Sequence, residues 1–150
     1  MYQAEADLET FVGRYLPTIA ALGRAAIKRL RVRFPGCDAL VYDNYQALAI
    51  GYSPDGKTKS AFISVVLYPR WVNLFFLQGA SLRDPSLLLK GTGSAVRQIR
   101  LDRAEDLDSP ALRALIAAAE ANAVPAIDPR RTGELIIKSV SAKQRPRRPA

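Results

Sequence analysis

The chain contains no histidine and only one cysteine, Cys37, and one tryptophan, Trp71. The first two scarcities each close a class of chemistry. Without imidazole there is no His-dependent triad, no Cys–His pair and no histidine metal site. One cysteine allows no internal disulfide, so the expected compartment is the cytoplasm. No apolar stretch approaches the length of a membrane span, and no membrane partner is expected. The opening residues, "MYQAEADLET", have neither the basic start nor the apolar run of a signal peptide. No matched acid–base pair stands out, so the composition leans away from an enzyme.

What is present is basic and well supplied with apolar side chains. The 150 residues are 49% hydrophobic, enough for one core without staples. The net charge is +8, which favours a polyanion, an acidic protein or a nucleic acid as partner. Four of the positives crowd into "KQRPRR" near the C-terminus. Residues 1–141 read as one domain, and residues 142–150 as a basic tail, solvated and disordered.

The apolar periodicity orders the elements. Ala4, Leu8, Phe11 and Val12 space a short helix over residues 4–12. Residues 17–34 form the clearest helix, with Leu16, Ile19, Gly23, Ala26, Ile27, Leu30 and Phe34 on one face. Arg24, Lys28 and Arg31 line one flank of it, and Arg29 and Arg33 the other. This is an amphipathic helix with snorkelling edges or an anion-facing stripe. "ALVYDNY", "QALAIGYS", "KSAFISVVLY" and "WVNLFFLQ" read as strands of an antiparallel meander, with Asp55-Gly56 at one turn. Residues 78–95 read as a loop, 96–101 as a strand and "DRAEDLDSP" as a linker. Ser109 and Pro110 open a helix to about Ala123 with Leu112, Leu115, Ile116 and Ala119 inward. "GELIIKSVS" favours a strand through its β-branched content. The expected class is α+β, with about five to six antiparallel strands and helices from both ends of the chain packed on them.

Two candidate sites follow. Alternation sends Ile63, Val65 and Leu67 to one face with Val72, Leu74 and Phe76. Phe62, Ser64, Val66 and Tyr68 go to the other, with Trp71, Asn73 and Phe75. That second face mixes rings with Asn and Ser, as ligand pockets do, although rings more often serve packing. The candidates on it are Tyr68, Trp71, Asn73 and Phe75. The second site is "KGTGSAVRQIR". It fails the Walker spacing, because Lys90 precedes the glycines, and the Rossmann fingerprint, because a strand follows. A backbone nest for an anion remains, from Lys90, Gly91, Thr92, Gly93, Ser94 and Arg97, or else a plain turn. Asp102, Glu105, Asp106 and Asp108 crowd one segment and are a second carboxylate candidate for a metal, although their spacing is not that of a calcium loop. Tyr42, Asp43, Asn44 and Tyr45 form a polar cluster at a strand end, either a border of the aromatic face or plain turn chemistry.

"FPGCDALVYDNYQALAIGYS" and "WVNLFFLQGASLRDPSLLLKGTGSAVRQIRL" resemble the YdhG-like family of small bacterial proteins, a domain of unknown function. The resemblance spans most of residues 5–123. It implies a compact α+β domain similar in shape to frataxin-like proteins, and it brings no catalytic residues. The frataxin-like shape implies iron binding on an acidic first helix, for which Glu5, Asp7 and Glu9 are the candidates here, with iron as cargo. The basic second helix departs from that pattern. Three functions follow: an adaptor with an anion-accepting groove, an iron metallochaperone, and a nucleic-acid accessory protein acting through the basic helix and tail.

Overall fold

The computed structural model describes residues 2–150. Two helices, α1 (Tyr2–Gly13) and α2 (Pro17–Arg33), precede five strands: β1 (Asp38–Asp43), β2 (Leu48–Ser53), β3 (Ile63–Leu67), β4 (Val72–Phe76) and β5 (Arg97–Leu101). Helix α3 (Pro110–Ala121) and strand β6 (Leu135–Val140) complete the chain. The class is α+β, one six-stranded sheet in the order β5-β4-β3-β2-β1-β6. No helix among the described residues is long and apolar enough to cross a membrane.

Local chemistry sets the helix ends. Pro17 and Pro110 stand in the first turns of α2 and α3, where the missing N–H costs no hydrogen bond. Ser109 accepts the Leu112 N–H and closes the start of α3. The expected stripes face inward: Ile19, Gly23, Ala26, Ile27 and Leu30 on α2, and Leu112, Leu115, Ile116 and Ala119 on α3, are buried. A Cβ at Gly23 would lie 2.5 Å from the Leu67 side chain, so the missing side chain lets α2 lie directly on β3.

The meander is antiparallel from β1 to β5. Ile63, Val65 and Leu67 pair with Phe76, Leu74 and Val72, and all six are fully buried beneath the helices. Each such burial contributes roughly 1.5–3 kcal/mol. Three expectations are corrected. Phe62 leaves the face assigned to it and packs edge-on against Phe34 in the core, because the chain bends into β3 only at Ile63. The linker at 102–108 holds a 3-10 helix, Ala104–Asp108, seated on the core by Leu107. The sheet is mixed rather than wholly antiparallel, because β6 pairs in parallel with β1. A long return through residues 122–134 brings β6 in beside β1 in the same direction. The Glu134 N–H donates to Asp38 at 2.8 Å, and Arg131 pairs with that carboxylate at 2.6 Å.

Candidate functional site

The glycine loop is built around its own arginine. Lys90 and Gln98 exchange backbone hydrogen bonds, so the loop leaves and re-enters the sheet edge at one point. Only Gly91 of the two glycines takes a positive φ, +122°, which L side chains rarely adopt. Arg97 turns back over the loop and donates to the carbonyls of Gly93 and Val96 at 2.6 and 2.8 Å. Its charge is therefore directed at carbonyl oxygens of the same loop. Lys90, Thr92 and Ser94 stand exposed around it. The structure brings these residues together, but the cation expected to hold an anion already serves the loop.

The acidic residues of α1 serve the basic helix. Glu9 accepts two hydrogen bonds from Arg24, at 2.6 and 3.1 Å, and Glu5 pairs with Arg31 at 2.8 Å. The Arg24 hydrogen bonds hold the Glu9 carboxyl below its usual range. Asp7 accepts from Gln3. On the other flank Arg29 meets Asp108 and Glu105, and Arg33 meets Glu120. Four of the five basic side chains on α2 are thus matched by carboxylates of neighbouring elements. Each exposed pair contributes only about 0–1 kcal/mol, but together they use up the stripe. Among the described residues no three acidic or sulfur side chains are grouped to hold a metal ion. Glu5, Asp7 and Glu9 are not brought together as ligands.

The aromatic face is turned away from the helices. By register, Asn73 lies beside Arg100 and Val66, and Phe75 beside Gln98 and Ser64. Trp71 is 39% exposed, with the Arg100 guanidinium 5.5 Å from its ring centre and Tyr68 at 6.2 Å. Partial burial raises the Tyr68 hydroxyl above its usual pKa. Tyr68, Trp71, Asn73 and Phe75 therefore share one surface, open on the β4–β5 side. On the β1–β2 side the segment after β2 folds over it, with Thr58 hydrogen-bonded to Tyr42.

The tail expected to be disordered is packed in this structure. Arg147 is buried and pairs with Asp43 at 2.9 Å, with side chains 4% and 1% exposed. It also donates to the carbonyls of Asn44 and Tyr45 and lies over the Tyr15 ring. Arg14 holds the other Asp43 oxygen at 3.2 Å, and Gln144 donates to the Asp43 carbonyl. Tyr15 anchors the same corner from below, donating to the Leu67 carbonyl and accepting from the Leu48 N–H. Burial pushes the Tyr15 hydroxyl up to about 12.

This clamp has a consequence for charge. It carries Arg145 and Arg148 to the β3–β4 turn, where they line a groove of about 290 Å³ with Gln46, Tyr68 and Arg70. Arg148 is steadied by donating to the Arg14 carbonyl. Tyr45, 46% exposed, lies on the adjoining β1–β2 turn, where its carbonyl accepts the Arg145 N–H. One end of the sheet thus gathers exposed arginines and two exposed rings, Tyr45 and Trp71. Sequence reasoning saw the tail charges and the Tyr42–Tyr45 cluster separately. Nothing in either stretch alone says that Arg147 reaches back to Asp43.

Cys37 sits beneath the groove between α1 and α2 with its thiol pushed up to about 12 by burial, an unreactive state. Comparison of the chain with protein-family models, curated proteins and solved structures finds no match to any of them.

Proposed function

We propose that the chain is a cytoplasmic, non-enzymatic binding module of YdhG-like type whose ligand is a polyanion. The ligand is held at the corner where the tail crosses the β3–β4 turn. The observation that carries this reading is the buried Arg147–Asp43 pair, which positions Arg145 and Arg148 beside Arg70 and Tyr68. Arginine suits such a role, because its planar fork meets phosphate or carboxylate bidentately. The corner is favoured over the glycine loop because Arg97 spends its donors on carbonyls. It is favoured over α2 because the arginines there are ion-paired.

The test is a titration with heparin and with inorganic polyphosphate at several salt concentrations. Affinity should fall steeply with salt, and removing Arg145 and Arg148 together should weaken binding and flatten that dependence. Arg97→Ala should bind like the parent. Unchanged binding in Arg145→Ala/Arg148→Ala, with loss in Arg97→Ala, would return the site to the glycine loop.

A further inference from the structure

Phosphates or carboxylates account for the arginines of the corner but not for the surface beside them. That surface keeps its only tryptophan in solvent, while Tyr15, Tyr52, Phe34 and Phe76 are fully buried. Trp71 is backed on one side by Arg100 and flanked by Tyr68, so the ring is held rather than free. Further along β4, Asn73 is 9% exposed and lies on the same face, and its amide is not among the buried polar atoms that lack a partner, so it is not sealed away from water. Gln98, across from Phe75 on β5, brings a second amide to this face. Amides set among rings, in reach of water, can exchange that water for the polar edge of a flat ligand.

Resting on the polyanion reading, we propose that the ligand is a single-stranded nucleic acid. A base stacks on Trp71, the phosphates lie on Arg70, Arg145 and Arg148, and the strand continues over Asn73 and Phe75 on the open sheet face. Base stacking on exposed rings beside a basic track is how sequence-tolerant single-strand binding is built. A sheet face with rings and amides also meets unpaired base edges. A duplex fits worse, because its bases are already stacked on one another and cannot lie on Trp71. An acidic peptide would satisfy the arginines and leave the rings unused.

Trp71 is the chain's only tryptophan, so its fluorescence reports this contact directly. The experiment compares a short oligothymidylate, a DNA duplex of equal length and inorganic polyphosphate on the full chain, with Trp emission and the anisotropy of labelled ligand. The expected result is quenching by oligothymidylate alone, with binding tighter than to the duplex. Trp71→Ala should lower oligothymidylate affinity by about tenfold or more while leaving polyphosphate binding unchanged. Trp71→Phe, which keeps a ring, should recover part of the loss. Asn73→Ala should weaken oligothymidylate binding by a smaller factor. Polyphosphate binding that needs Arg145 and Arg148, with no quenching and no effect of Trp71→Ala on oligothymidylate, overturns this inference and leaves the polyanion reading standing. Tighter binding to duplex also overturns it. Failure of all three polymers to bind removes both. Circular dichroism of each variant separates loss of contact from loss of fold.

Discussion

Arg97 and Arg147 are both arginines that reach for carbonyl oxygens, and they do opposite work. Arg97, the first residue of β5, folds back over the exposed loop before it, donating to Gly93 and Val96. Arg147 lies 5% exposed and joins the tail to the β1–β2 turn through Asp43, Asn44 and Tyr45. A local contact in water exchanges one set of hydrogen bonds for another and gains about 1 kcal/mol. A buried pair gains its strength from the cost of leaving either charge alone, about 3–5 kcal/mol. The difference shows that an arginine's contribution here is set by where its partner comes from. A motif-rich loop can be energetically minor, and a plain basic tail can hold a corner of the fold.

The largest effect tests that contrast head-on. Asp43→Ala should lower stability by about 3–5 kcal/mol in urea unfolding, because Arg147 is left buried without its carboxylate. Arg97→Ala should cost about 1 kcal/mol or less. Equal losses would break the comparison. Replacing both Asp43 and Arg147 with apolar residues should cost less than Asp43→Ala, since no stranded charge remains.

Next come the loop's glycines. Gly91→Ala should cost about 1–2 kcal/mol, because its φ of +122° suits no L side chain. Gly93→Ala, with nothing within 4 Å of a new Cβ, should fall within about 0.5 kcal/mol of the parent. A large loss at Gly93 would mean the loop is more tightly constrained than its contacts indicate.

Alkaline titration sharpens the comparison from the buried side. Tyr15, at the clamp, is raised from 10.0 to about 12, and Cys37 from 9.0 to about 12. Both are neutral acids whose folded pKa exceeds the unfolded one. Their stabilising contribution is complete below pH 9 and is lost as pH rises toward 12. Urea midpoints should therefore fall across that window, and Cys37→Ala should make the fall shallower. In native protein at pH 8, Cys37 should react slowly with a chromogenic disulfide compared with the unfolded chain.

The smallest effect is expected on α2. Glu9→Gln should cost about 0–1 kcal/mol at low salt and less at high salt, as an exposed pair must. The folded Glu9 carboxyl titrates below its ordinary value of 4.5. Its contribution is therefore present above that pH and lost as pH falls through the folded value. A salt-independent loss would show the pair to be more shielded than its exposure indicates.

Much of the fold was legible because the signals are short-range. The α2 and α3 stripes, the Ser109-Pro110 helix start and the split of β3 and β4 into two faces all follow from periods of 3.6 and 2. Phe62 escaped that rule because alternation says nothing of where a strand begins. The site was half legible. Tyr68, Trp71, Asn73 and Phe75 share a surface as their alternation implied, and "KQRPRR" was visibly basic. The arginines of α2 looked like free charge, because their partners on α1, the 3-10 helix and α3 are remote in the chain.

Residue order thus dictates which segments form helices and strands and which way their apolar sides point, since those are properties of neighbours along the chain. It does not dictate that β6 runs parallel to β1, that Asp38 and Asp43 receive Arg131 and Arg147, or that Arg145 arrives beside Arg70. Those outcomes depend on contacts between distant segments, which form only once the core has brought them together and excluded water from the charges they carry.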